Sequence, residues 1–473
     1  MLDIPELDEL ICQQLSRHDL TQCTRVLVDD YLQERQYQEL QQERETELAP
    51  GVPSKLVLME RLYKHCPNFQ TELATIEMPH GQMGMAELIR EYVLPRTRCL
   101  QVPSGRDYIS SFRLKWILSR SSTLEELVLN AQISGAVDEK EKAYDQEEPE
   151  TWQLKRLALR NCRNFTNKNT FWPWLWRRCG QVEHLELDNI HEDVWEQLVE
   201  TGISYMPNLN KINITSYTSD KKHTEAILSS SRRGWEEVRL HCHRLSFPIT
   251  AYLMKHKFTL QRLVLDGYCG VTDSEKVQLL ACCPHLYDFT NVHTWEHNSS
   301  MPFGFNAHSF IDLDPDTGSL KHWECETSLK VLKVIIKDIP RPDLIMNDID
   351  EAYPGQGRAI QNQVYDRLAR FTNLEMLSLR VKFMNDAAPN CLEMSLESGL
   401  DKLSGLKKLK VLDVSGMETK IGEPEAQWMT EQWPKLHTIH GSPRRDGEKV
   451  AWDWLKQHHP EIELKKPSIG YEF

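Results

Sequence analysis

One spacing in this 473-residue sequence restricts its fold more than any other feature. An apolar residue, two variable residues, a second apolar residue, one variable residue and a third apolar residue recur along the chain. The series runs Leu124, Leu127, Leu129; Leu154, Leu157, Leu159; Val182, Leu185, Leu187; Leu209, Ile212, Ile214; Trp235, Val238, Leu240; and Leu260, Leu263, Leu265. The starting positions 124, 154, 182, 209, 235 and 260 are separated by 30, 28, 27, 26 and 25 residues. After a weaker unit at Leu286 and Phe289 the pattern returns as Leu329, Leu332, Val334; Leu374, Leu377, Leu379; Leu409, Leu412, Val414; and Leu436, Ile439. The longer intervals in this second half place insertions near 291–328 and 338–372.

Apolar residues two apart on a short strand point to one side, and the residues between them point to the other. One side of each strand therefore faces a core and the other is left open. The segments Lys276 to Cys283, Val364 to Phe371 and Ala426 to Trp433 carry apolar residues at helical spacing just ahead of a strand and are expected to cover the core. Such units are stable only against their neighbours, which suits a chain longer than a single compact core usually serves. The pattern resembles leucine-rich repeats, whose period is roughly 20 to 29 residues, and in particular their longer cysteine-containing and ribonuclease-inhibitor-like subclasses. It covers about Leu100 to Gly441. The resemblance implies an α/β leucine-rich-repeat solenoid, a right-handed horseshoe with a parallel inner sheet and outer helices. The Asn or Cys that the family places three residues after the third apolar position is present as Cys162, whereas Gln132, Ile190, Tyr217 and His243 stand there elsewhere. Irregular loops and a weakened backbone ladder are expected at those positions.

The N-terminus reads differently. Ile4-Pro5-Glu6-Leu7 opens a helix with an apolar stripe of Leu7, Leu10, Ile11 and Leu15, and Asp19 can cap a second helix carrying Leu20, Cys23, Val26 and Leu27. This pair resembles the beginning of an F-box, and its place ahead of a repeat array is the domain order of F-box/leucine-rich-repeat proteins of the fungal type. The basic residue and Trp that the family places after Val26 are missing. The resemblance implies docking onto the Skp adaptor of a Skp-cullin-F-box ubiquitin ligase through Ile4, Pro5, Leu7, Ile11, Leu15 and Leu20, with the repeats capturing the protein to be ubiquitinated. The alternative is a helical cap over the apolar end of the array, in a repeat scaffold or regulator unconnected with ubiquitin. The expected domains are 1–50, F-box-like helices and a Gln- and Glu-rich linker; 51–441, the solenoid with its insertions; and 442–473, a C-terminal cap or tail.

The 56 Lys and Arg against 70 Asp and Glu give a formal charge of -14, the wrong sign for a protein that lives on phosphate contacts. No nucleic-acid partner is expected. The acidic start, with Asp3, Glu6, Asp8 and Glu9, does not resemble a secretory signal, and no apolar run reaches the ~18 residues of a membrane span. A cytoplasmic or nuclear protein without a membrane partner is expected. Its twelve cysteines, from Cys12 to Cys391, include no C-x-x-C pair and are expected to be reduced.

No catalytic constellation, cofactor motif or metal site stands out, so the chain is expected to be a binding protein and not an enzyme. His241-Cys242-His243 divides its side chains between two faces of a strand and has no second ligand pair at zinc-like spacing. Pro354-Gly355-Gln356-Gly357-Arg358 lacks the Lys-Ser/Thr of a phosphate loop and reads as a turn. Trp172 and Trp176 fall on one side of a helix and read as core, with Trp174 as a candidate exposed contact. The acidic run from Asp138 to Glu150 reads as a solvated loop. The residues expected to meet a protein partner are those on the open face of the strands: Arg156, Arg160, His184, Glu186, Asp188, Lys211, Asn213, Glu237, Arg239, His241, Arg262 and Asp266. Their alternating signs suit a polar protein surface.

Overall fold

The computed structural model of the chain describes residues 74–75, 98–102, 109–134 apart from 120 and 122, 152–164, 170–216, 221–242, 249–267, 271–292, 304–339, 354–380, 391–441 apart from 418, and 446–466. The F-box-like segment, the acidic run from Asp138 to Glu150 and His243 lie outside them. The chain divides into two compact units, Met1–Leu209 and Asn210–Phe473.

In the first unit, strands β1 (Ala74–Thr75), β2 (Cys99–Val102), β3 (Ile109–Ser110), β4 (Glu126–Ser134), β5 (Arg156–Asn164) and β6 (His184–Asp188) are separated by helices α1 (Ser111–Ser119) and α2 (Phe171–Trp176), with α3 (Glu192–Glu200) following. The strands are parallel in the order β1-β2-β4-β5-β6, with β3 beside the end of β4. The recurrent apolar positions are the rungs: Leu127, Leu157 and Leu185 stand in register, as do Leu129, Leu159 and Leu187, and all six are 0% exposed. The first apolar residue of each triplet, such as Leu124 or Leu154, is also fully buried and carries the chain into the strand.

Aromatic side chains fill the layer behind these rungs. Trp172 stacks on Trp176 with ring centroids 5.4 Å apart, and Phe171 meets Trp172 edge-on at 5.2 Å. Trp174, expected at the surface, is buried at 6% exposure. Its ring is closed by Trp152 edge-on at 5.6 Å and by the Arg178 guanidinium at 4.1 Å. All three indoles of this short helix belong to the core, because a residue outside the helix supplies the cover that helical spacing alone does not reveal.

The Cys expected three residues after a triplet makes a ladder contact where the sequence has it. The buried Cys162 thiol donates to the Leu129 carbonyl of the preceding strand at 3.4 Å. Beside it, the amide of Asn161 donates to Asn130 at 3.2 Å and that of Asn189 donates to Asn161 at 2.9 Å. Asn161 and Asn189 hold φ of 48° and 49°, a left-handed conformation that asparagine tolerates better than most side chains. In the second unit Asn291 plays a related part by donating to the Leu265 carbonyl at 3.3 Å.

The second unit repeats the scheme with β7 (Lys211–Ser216), β8 (Glu237–Cys242), β9 (Arg262–Gly267), β10 (Asp288–Val292), β12 (Val331–Val334), β14 (Met376–Ser378), β15 (Val411–Asp413), β16 (Thr438–His440) and β17 (Glu463–Lys465), in that order and all parallel. Helices α4 (Lys221–Leu228), α5 (Ile249–Leu253), α6 (Asp273–Cys282), α8 (Pro354–Ala369) and α9 (Glu423–Gln432) are interleaved with them, and α10 (Asp446–His458) precedes β17. The expected helices around Lys276, Val364 and Ala426 are thus present as α6, α8 and α9. A capping box starts α6: Thr272 Oγ1 accepts from the Glu275 amide and Glu275 Oε2 accepts from the Thr272 amide at 2.8 Å. Between β14 and β15 the described residues include two 3-10 segments, Leu396–Ser398 and Leu400–Gly405. Gly234, at φ 87°, turns the chain into Trp235 and β8, where a Cβ would run into the Thr259 side chain.

One expectation is corrected here. Pro354-Gly355-Gln356-Gly357-Arg358 forms the first turns of α8 and not a turn between elements. Pro fits an N-terminal turn, and the buried row Gln361, Val364, Tyr365 and Leu368 carries the helix backward through two poor helix formers. Beyond Gly441 the described residues form α10 and β17, with Ile439 in register with Leu464 on β17. The insertion ahead of β12 contains β11 (Phe305–Asn306), paired in parallel with β13 (Ile336–Lys337), and helix α7 (Ala307–Ile311).

Among the described residues, Cys99, Cys162, Cys179, Cys282, Cys283 and Cys325 carry free thiols. Burial pushes Cys162 and Cys283 up to about 12, with the neighbouring Cys282 adding to the rise at Cys283. Burial raises Cys179 and Cys325 as well. Because the thiolate is the nucleophile, these four should resist iodoacetamide in the native chain at about pH 8 and alkylate at least tenfold faster in denaturant. Site-resolved mass spectrometry checks this, and rapid native alkylation of Cys162 or Cys179 would contradict their placement in the core.

Candidate interaction surface

The rungs fix the outward positions as firmly as the inward ones. In the first unit, Glu126, Arg156 and His184 form one row across β4, β5 and β6, and Val128, Ala158 and Glu186 form the next. Arg156 donates to Glu126 at 2.7 Å and to Glu186 at 2.8 Å, and Arg160 donates to Glu186 at 2.6 and 3.0 Å. Glu186 is thereby clamped between two guanidiniums and is only 8% exposed. Burial alone would raise its carboxyl, but hydrogen bonds and charge from Arg156 and Arg160 outweigh burial and hold it below the usual carboxylate range.

That direction sets a pH dependence. A carboxyl with a folded pKa below its unfolded value contributes stability that is full above the unfolded pKa and is lost as pH falls through the folded one. Denaturant unfolding of the wild type and of Glu186→Gln should therefore differ most at neutral pH and converge below about pH 4. A difference that grows on acidification would contradict the clamp.

In the second unit, Lys211, Glu237, Arg262 and Asp288 form the corresponding row. Arg239 donates to Glu237 at 2.5 Å, and Arg262 lies 3.4 Å from Glu237 and 2.7 Å from Asp288. His241 Nδ1 lies 2.9 Å from Asp266 Oδ2, and Asp266 is 1% exposed. Thr290 donates to Asp288 at 3.1 Å. The expected partner-binding residues thus sit on the strands named for them, Arg156, Arg160, His184 and Glu186 in the first unit and Lys211, Glu237, Arg239, His241, Arg262 and Asp266 in the second. Most are tied by ion pairs within their own unit, so the outward strand positions of each unit carry a preformed charged mosaic. Ile4, Pro5, Leu7, Ile11, Leu15 and Leu20 lie outside the described residues.

Sequence reasoning stopped at Asp266 and missed the later strands. There the first outward row is Val331, Met376 and Val411, in register on β12, β14 and β15 and each partly exposed. The next outward row holds Lys333, Ser378 and Asp413. Asp413, 8% exposed, accepts from Ser378 at 3.0 Å and from the Ser415 amide at 3.0 Å. Where these strands begin, Lys410 approaches Glu375 to 2.5 Å and Lys330 approaches it to 4.0 Å. The signal was legible, since each residue stands between apolar positions of a recognised triplet.

Among the described residues no group of three or more His, Cys, Asp or Glu could hold a metal ion, and no helix is long and apolar enough to cross a membrane. Fold and face together define an α/β leucine-rich-repeat array with an outward strand surface of mixed charge. No protein-family profile matches the chain, and no curated protein matches it in sequence. Among solved structures it is similar to an internalin (inlF) from Listeria monocytogenes str. 4b F2365, at 11% identity and a TM-score of 0.34 over 80% of this chain and 88% of that one. It is also similar to a chain in the crystal structure of the Rad7 and Elc1 complex in yeast, at 14% identity and a TM-score of 0.32 over 63% of this chain and 80% of that one.

Proposed function

We propose that the chain is the substrate-recognition subunit of a Skp-cullin-F-box type ubiquitin ligase. The observation that carries this reading is the order of parts in the sequence: an Ile-Pro-Glu-Leu motif at residue 4, followed by Leu7, Ile11 and Leu15 at helical spacing, ahead of a long leucine-rich-repeat array. In this reading Ile4, Pro5, Leu7, Ile11, Leu15 and Leu20 engage a Skp-type adaptor, and the outward strand face holds the target protein. The chain performs no chemistry and needs no cofactor. It contributes proximity, holding a target lysine near a conjugating enzyme carried by another subunit.

Co-purification of the full chain with recombinant Skp adaptor tests the reading. The wild type should form a stable complex, and Pro5→Asp, Leu7→Asp and Ile11→Asp combined should abolish it while leaving the repeat array folded. A failure of the wild type to bind, or binding that survives the triple replacement, removes the ubiquitin connection and leaves a repeat scaffold in which the first helices act as a cap.

A further inference from the structure

The strand face of the second unit changes character along its length. Across β8, β9 and β10 the charges neutralise one another, with Glu237 shared by Arg239 and Arg262, Asp288 held by Arg262, and Asp266 held by His241. A guest arriving there must compete with ion pairs already made, and separating a buried pair leaves a charge stranded at a large cost. Across β12, β14 and β15 the outward row is apolar: Val331, Met376 and Val411 stand side by side. They remain partly exposed, while Leu332, Leu377 and Leu412, the next residue on each strand, are fully buried. Neighbouring strands about 4.8 Å apart make this row roughly 10 Å long, the reach of about three extended residues.

The frame of this row is basic. Lys333, two residues beyond Val331 and so on the same face, has no hydrogen bond or ion pair among the described residues. Where the strands begin, a hydrogen bond from Lys410, with the charges of Lys410, Lys330 and Lys408, outweighs desolvation and holds the Glu375 carboxyl below the usual range. Lys408 itself reaches the Asn373 side chain at 2.6 Å. Counting Lys330, Lys333, Lys408 and Lys410 against Glu375 and Asp413 leaves a local excess of two positive charges in a chain whose formal charge is -14.

We propose that the outward face of β12, β14 and β15 docks an extended segment of a partner protein in which apolar side chains are bracketed by carboxylates. The apolar side chains cover Val331, Met376 and Val411, and the carboxylates meet Lys333 on one flank and the Lys330, Lys408 and Lys410 group on the other. Burial of apolar area provides the attraction, and the lysines set orientation and reject basic segments. This inference rests on the reading of the strand face as the capture surface and specifies what that surface takes.

The test is to pan a random dodecapeptide display library against the immobilised full-length chain. The expected selection is enriched in Asp and Glu on either side of Leu, Ile, Met or Phe. A synthesised representative should lose at least tenfold in affinity with Met376→Glu and with Lys333→Glu, and should bind a Lys456→Glu control on the far end of α10 as it binds the wild type. Thermal unfolding of each variant reports that the array is intact, and the two variants change different chemistry on different strands. Absence of enrichment, selection of basic or uncharged segments, or undiminished binding to both face variants would overturn the proposal. Adaptor co-purification on the same preparations separates the two readings. Loss of the adaptor with the acidic selection retained sinks the ligase reading alone, and the reverse result sinks this one alone.

Discussion

Replacing Arg367 with alanine should destabilise the second unit by roughly 3–5 kcal/mol, the range for removing one partner of a buried charge pair. Arg367 stands on α8 and is 0% exposed. Its Nη1 donates to the Lys321 carbonyl at 2.7 Å and to Glu326 at 3.0 Å. Its Nη2 donates to the carbonyls of Ile311 at 2.7 Å and Asp312 at 3.3 Å, and its Nε donates to Ile311 at 3.3 Å. The guanidinium also lies 4.2 Å from the ring centre of Trp323. Burial pulls Arg367 down to about 10, against the opposing charge of Glu326, so it remains protonated at neutral pH. One side chain thus ties α8 to the insertion that carries α7. Alanine would take the buried charge away from Glu326, which would keep only His322, the Trp323 amide and the part-exposed Arg370, and would leave the Ile311 carbonyl without its two guanidinium donors. Arg367→Lys should recover less than half of the loss, since an ammonium lacks the planar fork that serves several acceptors at once. Denaturant unfolding of the three proteins measures both steps. A cost below about 1 kcal/mol for alanine, or full rescue by lysine, would contradict this assignment.

The second large effect concerns the first unit. Trp172→Ala should cost roughly 3–5 kcal/mol, the range for deleting a buried aromatic side chain. The indole is fully buried, stacks on Trp176 and donates from Nε1 to Asn164 at 2.6 Å, joining the helical layer to the end of β5. Trp172→Phe keeps most of the packing and loses the hydrogen bond, leaving the Asn164 oxygen without that donor, so it should cost about 1–3 kcal/mol. Equal losses in the two variants would show that Asn164 carries the effect, and a negligible loss in both would contradict the placement of α2 against the strands.

The repeat itself was legible because a parallel ladder demands the same thing of every strand, inward apolar residues two apart. Leu127, Leu157 and Leu185 meet that demand without help from distant sequence, and the structure puts them in register. What was illegible depends on contacts that spacing does not encode. Trp174 reads as the odd residue of its helix until Trp152, from the segment entering β5, lies across it. Gly355 and Gly357 argue for a turn until the helix that buries Gln361, Val364, Tyr365 and Leu368 is seen to start at Pro354. The expected contact residues were identified as outward-facing, and they are, but their mutual pairing depends on the reach of Arg and Glu side chains across rungs. Asp266 is the clearest case, an outward position closed off to 1% exposure with His241 beside it.

This pairing changes how the face can work. Where Arg156 and Arg160 share Glu186, the surface is rigid and its charge pattern is fixed before a partner arrives, which favours selectivity over raw affinity. Where Val331, Met376 and Val411 stand open, apolar burial is still available. The first unit thus presents a stretch of fixed charge, and the second unit presents an apolar stretch that remains partly exposed.

All of this depends on each apolar triplet being one rung of a parallel ladder, with the residues between its apolar positions turned outward. Amide hydrogen exchange on the full chain, resolved by fragment, measures that most directly, because ladder amides open only with their neighbours. The account predicts slow exchange recurring at 126–129, 156–159, 184–187, 237–240, 262–265 and 411–413, separated by faster exchange in the connecting turns. Exchange at those triplets as fast as in the denatured chain, or protection with no such recurrence, would contradict it.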